Sequence, residues 1–580
     1  MTPAPAHQLL AAFVDELARC GLQAACTSPG SRSTPLVLAL AREPRLRCFS
    51  QLDERGAAFF ALGLAKASGL PVALACTSGT APAHYFPAVQ EAHESGVPLL
   101  VLTADRPPEL RDSGAGQTID QLALYGRAAK WFFEVGALEQ AGERRMQWMR
   151  SLACRAWWTA TSGRAGVVHL NFPLREPLAP GHPVDRDAIL ASGRPGQQPW
   201  LTVTRAPRRL DAADATTLAD GLGRRTRGVV VAGRAERSAG LAGAAARFAA
   251  AAGYALLADP LSGARRGPAA VAYYDALLRN EQFAAEHTPE IVVRIGDLPT
   301  SKPLRGWLAG LRDTPQLAFE PDGGWQDPDA VLSTLLSADP VPALAALAEE
   351  LEPRNDHNGD RNWLQGWLDA DAHAGEAIAK ALSDELSEPA TALAVGSLAP
   401  QDVIVWLASS MPVRDAESFW PRREAPPRAL SNRGANGIDG TVSSALGAAN
   451  AAAGTVLALL GDLALAHDVG GLLARTRLGT KLVLVVVNNN GGGIFHFLPV
   501  AGERDVFEEH VATPHALDIP GLAAIAGAAH YAPETPAELA AALSRSLAGE
   551  GSAVIEVCSD REANVAVHAR AWAAVSAALR

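Results

Sequence analysis

Residues 461–497 read GDLALAHDVGGLLARTRLGTKLVLVVVNNNGGGIFHF. An apolar run, Thr455 to Leu460, enters Gly461-Asp462, and a second, Leu482 to Val487, delivers Asn488, Asn489 and Asn490 to a triple glycine. Both runs are rich in leucine and β-branched residues and end at turn residues, the pattern of buried parallel strands. In open α/β sheets, ligands bind in the loops at the carboxyl ends of such strands. Asp462 and Asn489 stand 27 positions apart, room for one crossover helix, so a carboxylate and an amide oxygen can face one ion. Hard oxygen donors of this kind suit Mg²⁺ or Ca²⁺. The glycines beyond Asn490 let the main chain approach a phosphate and offer the Gly491 carbonyl as a third protein ligand. This spacing predicts a magnesium-diphosphate site on an α/β fold.

A GD pair followed at this distance by NN resembles the metal and diphosphate motif of thiamine diphosphate (ThDP) enzymes. The wider consensus begins GDG, whereas this chain has Leu463. That departure, with NNNGG and the Ile494-Phe495 pair, resembles one subfamily, the menaquinone-pathway 2-succinyl-5-enolpyruvyl-6-hydroxy-3-cyclohexene-1-carboxylate synthases. The resemblance implies Asp462, Asn489 and Gly491 as metal ligands, Mg²⁺ or Mn²⁺ as the ion, and Gly461, Leu463, Ile494 and Phe495 as further cofactor contacts.

Composition limits the alternatives. At 580 residues the chain has room for three or four domains. Hydrophobic content of 48% with 19% charged residues is globular, and no apolar stretch reaches the roughly 18 to 20 residues that span a bilayer. The N-terminus lacks a basic leader and already shows helical spacing at Leu9, Leu10, Phe13, Val14 and Leu17. A net charge of −11 argues against nucleic acid as the main partner. The six cysteines form no CxxC pair, so we expect reduced thiols in a cytoplasmic protein.

Along the chain, AACTSPGSRSTPL from Ala24 reads as a strand, a Pro-Gly turn and a helix start. Ser31-Arg32 there is either a helix cap with a solvated arginine or an anion site. A strand at Arg47–Ser50 leads to DERGAAFFALGLAKASG, where Glu54 opens a helix and, by charge alone, favours its dipole. Val72–Cys76 leads to Thr77-Ser78-Gly79-Thr80, and Leu99–Thr103 to ADRPPELRDSGAGQTIDQ. A last strand, Val167–Asn171, precedes a Pro- and Gly-rich linker, so the first domain, 1–185, holds about five βα units and a parallel sheet. The middle section, 200–350, repeats the rhythm at 228–234, 254–260 and 291–297, without a dinucleotide fingerprint. A polar stretch, 352–362, reads as the second linker, and the last domain is 363–580. It contains DVIVWLASSMPVRD, with Ser410 and Arg414 after a strand, and LSNRGANGIDGTVSSALGAANAAAG, with Arg433 and Ile438 before a helix of small residues. Small residues of this kind predict close packing, expected here against the sheet. His467 and His496 are read as structural.

PGSRSTPL, DERGAAFFALGLAKASG, TADRPPEL and SNRGANGIDG all resemble the synthase family. The family fold would be three α/β domains with mostly parallel sheets flanked by helices, binding the pyrimidine in the first and the diphosphate in the third. The resemblance implies Glu54 at N1′ of the aminopyrimidine, with Thr77, Ser78 and Gly79 beside the ring. Ile438 would hold the cofactor bent. Ser31, Arg32, Gln117, Lys302, Ser410, Arg414 and Arg433 would meet the substrates, 2-oxoglutarate and isochorismate. Planar guanidinium groups suit such dicarboxylates. The implied assembly is a homodimer, possibly a dimer of dimers, without nucleic-acid or membrane partners. Alternatives are another ThDP carboligase or 2-oxoacid decarboxylase, and a non-catalytic binding module on the same fold.

Overall fold

A computed structural model describes residues 4–235, 240–352, 361–452 and 454–580, with the side chain of residue 361 left out. Most of the second expected linker, 353–360, lies outside the described residues. Three six-stranded sheets follow one another along the chain, and every strand pairing in them is parallel. The first sheet comprises β1 (Ala24–Thr27), β2 (Arg47–Ser50), β3 (Val72–Cys76), β4 (Leu99–Asp105), β5 (Ala129–Glu134) and β6 (Val167–Pro173), in the order β2-β1-β3-β4-β6-β5. The second comprises β7 (Gly228–Ala232), β8 (Ala255–Ala258), β9 (Ala270–Val271), β10 (Ile291–Ile295), β11 (Gln316–Phe319) and β12 (Thr334–Leu336), ordered β12-β11-β10-β7-β8-β9. The third comprises β13 (Ile404–Leu407), β14 (Arg428–Ser431), β15 (Val456–Gly461), β16 (Val483–Asn488), β17 (Ala529–Tyr531) and β18 (Ala553–Cys558), ordered β14-β13-β15-β16-β18-β17.

The central strands are buried and largely apolar, with Thr103, Asp105, His169, Asn171 and Arg294 the polar exceptions in β4, β6 and β10. In β3, β4, β6, β7 and β10 every residue is buried, the run expected of a doubly covered parallel sheet. The edge strand β5, AKWFFE, was not foreseen: only half-buried, it mixes Lys130 and Glu134 among aromatics and so shows neither a continuous apolar run nor a clean alternation.

The chain forms two compact units. One contains Met1–Arg205 with Asn432–Ala453 and His467–Thr480; the other contains Ala206–Ser431, Gly454–Ala466 and Lys481–Arg580. In the first, the helix Pro5–Cys20 packs on Glu143–Thr161, and Phe13 meets Phe172 edge to face at 5.7 Å. In the same unit the small-residue helix Thr441–Ala451 packs on the helix Glu54–Ser68, and this corrects the expectation of close contact with a sheet. A Cβ on Gly63 would lie 1.9 Å from the Ser444 carbonyl oxygen, and one on Gly447 would lie 2.0 Å from that of Phe60. Two backbones touch there, which only glycine permits.

Candidate active site

The order of the third sheet reverses between β13 and β15, since β14 lies to one side of β13 and β15 to the other. A crevice opens at the carboxyl ends of the two strands flanking such a reversal. Ser409, Ser410 and Arg414 follow β13, and Asp462 follows β15. Asp462 opens the helix Asp462–His467 instead of lying in a loop, and Asp468 separates that helix from a second, Val469–Leu478, so the crossover is two helical segments and not one. The carboxylate is 2% exposed. Its Oδ1 accepts from the Leu463 N–H at 2.6 Å, its Oδ2 accepts from the Gly491 N–H at 3.0 Å, and His515 Nε2 lies 3.1 Å from Oδ2.

From the neighbouring strand β16, Asn489 donates Nδ2 to Glu388 Oε1 at 2.9 Å, and Ser559 Oγ donates to the same oxygen at 2.8 Å. The amide is thereby oriented, and Asn489 Oδ1 is left buried without a hydrogen-bond partner. Buried polar atoms are nearly always satisfied, so an orphan of this kind needs an explanation. Gly491 sits at φ +146°, and a Cβ there would stand 2.4 Å from the Ala512 carbonyl oxygen. The main chain is therefore bare at the position the sequence assigned to a carbonyl ligand. Asp462, Asn489 Oδ1 and Gly491 are hard oxygen donors, and this set fits a divalent cation such as Mg²⁺. Ile494 and Phe495 follow in a short 3₁₀ turn, Gly493–Phe497, both half-buried, and Gly461 has open space where a Cβ would stand.

Arg414 lies one turn into the helix Met411–Phe419, and its Nη1 donates to the Ser410 carbonyl at 2.5 Å. Its side chain is exposed, yet surrounding protein and the neighbouring Arg305 lower its pKa from the ordinary value. Ser410 adopts φ +75° and ψ −133°, a region nearly reserved for glycine, and strain of this kind concentrates at functional turns. Lys302 is exposed at the start of the helix Lys302–Gly310, which also carries Arg305. Behind the asparagine, burial first and the Asp415 charge second push the Glu388 carboxyl up to about 7. His568 Nε2 bonds Asp415 Oδ1 at 2.8 Å.

In the first sheet the order reverses between β1 and β3. Gly30 follows β1 and Thr77 follows β3, and a Cβ on Gly30 would lie 2.3 Å from Thr77 Cβ. Thr77 Oγ1 is buried without a partner. Ser78 Oγ donates to the Gln117 carbonyl at 2.9 Å and accepts from Arg106 Nη1 at 3.1 Å, while Gln117 Nε2 donates to the Ser78 carbonyl at 3.0 Å. Gln117 holds φ +57°, and the Gly79 N–H donates to Gln121 Oε1 at 3.1 Å. Arg32 donates Nη1 to the Leu174 carbonyl at 2.8 Å, and its Nε is buried and unpartnered. Burial, then the nearby Arg106 charge, lower its pKa. Ser31 is exposed beside it. Thr77, Ser78, Gly79 and Gln117 thus share one sheet edge, with Arg32 and Arg106 at its rim. Glu54, at the N-terminus of the helix Glu54–Ser68, is half-buried, and Asp53 caps that helix through the Arg55 N–H. Burial raises the pKa of the Cys76 thiol at the end of β3, and the Glu54 carboxylate adds to the rise.

Arg433 and Ile438 lie on the segment entering the helix Thr441–Ala451, in the first unit. That segment is tied down by Glu91, whose Oε1 accepts from the Gly434 N–H at 2.9 Å and whose Oε2 accepts from the Ala435 N–H at 2.7 Å. Glu91 is in turn paired with the buried Lys66 at 3.1 Å. The Ile438 carbonyl accepts from Thr441 Oγ1 at 2.7 Å.

The second sheet has its own reversal, between β7 and β10, and among the described residues it is closed. Arg234 after β7 forms an ion pair with Asp297 after β10, and a Cβ on Gly233 would lie 1.5 Å from the Asp297 carbonyl oxygen.

Sequence reasoning missed Glu388, His515, Arg106 and Arg305. Arg305 was findable, because it sits three positions after Lys302 on one helical face, and Arg106 lies inside the TADRPPEL segment. Glu388 and His515 carry no local signal. Of the two histidines read as structural, His467 receives Arg55 Nη2 on its carbonyl at 3.1 Å, and His496 meets Phe507 edge to face at 4.8 Å.

Three matches to known families run along the chain: "Thiamine pyrophosphate enzyme, N-terminal TPP binding domain" over residues 7–124, "Middle domain of thiamine pyrophosphate" over 190–407, and "Thiamine pyrophosphate enzyme, C-terminal TPP binding domain" over 411–557. Among curated proteins, the chain is 42% identical to a protein of Chloroflexus aurantiacus named 2-succinyl-5-enolpyruvyl-6-hydroxy-3-cyclohexene-1-carboxylate synthase, over 98% of this chain and 96% of that protein. Proteins of the same name from Geobacillus kaustophilus and Myxococcus xanthus are each 43% identical, over 97% and 98% of this chain and 96% and 97% of theirs.

Proposed function

Because the chain belongs to the 2-succinyl-5-enolpyruvyl-6-hydroxy-3-cyclohexene-1-carboxylate synthases, ThDP-dependent transferases of menaquinone biosynthesis, we propose that it decarboxylates 2-oxoglutarate and joins the remaining four-carbon unit to isochorismate by conjugate addition. The observation that carries the reading is Asn489, whose nitrogen is tied to Glu388 while its oxygen is buried without a partner beside the GD and triple-glycine turns. We assign Asp462, Asn489 and Gly491 to Mg²⁺ or Mn²⁺, and Gly461, Leu463, Ile494 and Phe495 to the walls around the diphosphate. ThDP, when bound, supplies a nucleophilic carbon that also stores the electron pair released by decarboxylation.

The protein's part is binding, orientation and proton placement. Glu54 holds a proton at N1′ of the aminopyrimidine, in a setting where burial already raises the neighbouring Cys76 thiol. Ile438 would support and orient the bound cofactor, with its segment anchored through Glu91. Thr77, Ser78 and Gly79 line the pyrimidine, and the buried orphan Thr77 Oγ1 has hydrogen-bonding capacity to spare. Arg32, Arg414 and Arg433 receive the carboxylates of two dianionic substrates, which an acidic chain must bind with local positive charge. Ser31, Gln117, Lys302 and Ser410 complete the substrate contacts, and Arg106 and Arg305 add to the positive field.

In this reading the chain divides into a pyrimidine domain (1–185), a central domain (200–350) and a diphosphate domain (363–580). The protein works in the cytoplasm as a homodimer, each site pairing Glu54 of one copy with Asp462 of another. Among the described residues no helix is long and apolar enough to cross a membrane. Purified protein supplied with ThDP, Mg²⁺, 2-oxoglutarate and isochorismate should consume the ultraviolet absorbance of isochorismate and release CO₂, with pyruvate unable to replace 2-oxoglutarate. Acetolactate formed from pyruvate alone would instead mark an acetohydroxyacid synthase-like carboligase.

A further inference from the structure

Two thiols that the site assigned above does not use meet where the helix Pro5–Cys20 packs on Glu143–Thr161. Cys20 Sγ donates to Cys154 Sγ at 3.7 Å, and Cys154 Sγ donates to Glu16 Oε1 at 3.4 Å. The Leu201 N–H also points at Cys154 Sγ, at 3.4 Å. Glu16 is held rigidly, since Arg150 Nη1 donates to its Oε2 at 2.8 Å and the Trp200 N–H donates to its Oε1. Cys154 and Glu16 are buried, whereas Cys20 is half-buried at the last residue of its helix, next to Gly21 at φ +113°.

Buried cysteines that merely fill space behave as small apolar groups and need no polar partners. This pair has them: a hydrogen-bonded relay runs from a reachable sulfur through a second sulfur to a fixed carboxylate. We propose that Cys20 and Cys154 are a redox-active dithiol that closes to a disulfide when a hydroperoxide reaches Cys20. The Cys20 sulfur attacks the near oxygen, the O–O bond breaks, and Cys20 becomes a sulfenic acid while the thiol proton leaves with the departing alcohol or water. Cys154 then attacks the Cys20 sulfur, Glu16 takes the Cys154 proton and passes it to the departing hydroxide, and the S–S bond forms. In sum, two thiols and ROOH give one disulfide, ROH and water. The sulfurs must close to about 2.0 Å, and rotation about the Cys20 side chain at a helix end supplies the movement. The hydrogen bond to Cys154, then burial, raise the Cys20 pKa, so its attack requires the thiol proton to be drawn off as the O–O bond breaks, whereas the Cys20 thiol and the Leu201 N–H, working against burial and Glu16, hold the Cys154 pKa below its ordinary value.

The test uses the full chain with the exposed Cys558 replaced, Cys558→Ser, and tert-butyl hydroperoxide as the probe. Two of the five remaining thiols should disappear on titration under denaturing conditions and return with dithiothreitol. Mass spectrometry of a non-reduced digest should find the Cys20–Cys154 peptide, which must be absent in Cys20→Ser and Cys154→Ser chains that keep the parental melting temperature. Closing a loop this long should raise the melting temperature by a few degrees. No linked peptide at hydroperoxide doses that oxidise Cys558 in the unsubstituted chain would overturn the proposal. So would about one equivalent of zinc retained through purification and lost in Cys154→Ser, which would make the cluster a metal site instead.

Discussion

Lys66→Met tests whether a buried charge pair fixes the segment that carries Arg433 and Ile438. Lys66 is 1% exposed and Glu91 3% exposed, with Nζ and Oε1 3.1 Å apart. Removing one partner of a buried pair costs about 3–5 kcal/mol. Glu91 keeps its bonds from Ser95 Oγ at 2.6 Å and from the Gly434 and Ala435 N–H groups at 2.9 and 2.7 Å, so the cost should fall at the low end, about 3 kcal/mol. At 1.4 kcal/mol per factor of ten, that is a roughly 10²-fold loss of hydrogen-exchange protection at Gly434 and Ala435. In the parent, burial pushes the Glu91 pKa up, but Lys66, Ser95 and the two amides together hold it below 4.5. Its stabilisation is therefore present above pH 4.5 and is lost as pH falls through the folded pKa. Without Lys66 the largest contribution opposing burial is lost, so the Glu91 pKa in the folded variant should lie above the parent's, and the deficit should shrink as pH falls through it. Exchange mass spectrometry on the peptide spanning 428–440 reads both effects. A protection loss under about fivefold, or a deficit that does not shrink on acidification, would refute the reasoning.

Asp462→Ala should abolish ThDP binding at ordinary Mg²⁺ while leaving the fold intact, and calorimetry with an unchanged affinity would remove Asp462 from the metal site. Arg414→Ala or Arg433→Ala should weaken one of the two dianions, by about 2–5 kcal/mol if substrate binding buries the hydrogen-bonded carboxylate pair; Michaelis constants unchanged for both substrates in both variants would count against these arginines. Gly447→Ala sets a Cβ against the Phe60 carbonyl and should destabilise the chain by about 3 kcal/mol or more, measured by urea unfolding, with a neutral result meaning that the helices separate freely. Mixed Glu54→Gln and Asp462→Asn chains, each inactive alone, should recover activity at about a quarter of all sites after subunit exchange, from two-fold geometry. Proven heterodimers without activity would exclude a site shared between copies.

The site was legible where chemistry is local. A strand that ends in GD and another that ends in NN and glycines read as a candidate ion-binding edge, and β15 and β16 fall within one residue of the expected ranges. What was not legible depends on tertiary partners. The small residues of Thr441–Ala451 signal close approach but not to what, and the helix Glu54–Ser68 is hundreds of positions away in sequence. Glu388 orients Asn489 across 101 positions, and no periodicity or spacing encodes that contact. The Lys66–Glu91 pair was invisible for the same reason: the two residues lie on different helices, Glu54–Ser68 and Phe86–Ser95, and only packing places the two charges together. β5 was lost because an edge strand is half wet and its pattern is diluted.

The closed crevice of the second sheet also bears on how such a chain could acquire a new ligand. An ion pair alone is a removable latch: neutralising Arg234 and Asp297 would leave room. Here, however, Gly233 and the Asp297 carbonyl meet main chain to main chain, and no side-chain exchange opens a gap between backbones. Selection or design that sought a cofactor pocket at this edge would have to lengthen a loop or slide a strand. In a chain with three six-stranded parallel sheets, of which the middle one differs in strand order, that sheet's edge is committed to structure by its backbone path, and point mutation does not reach it.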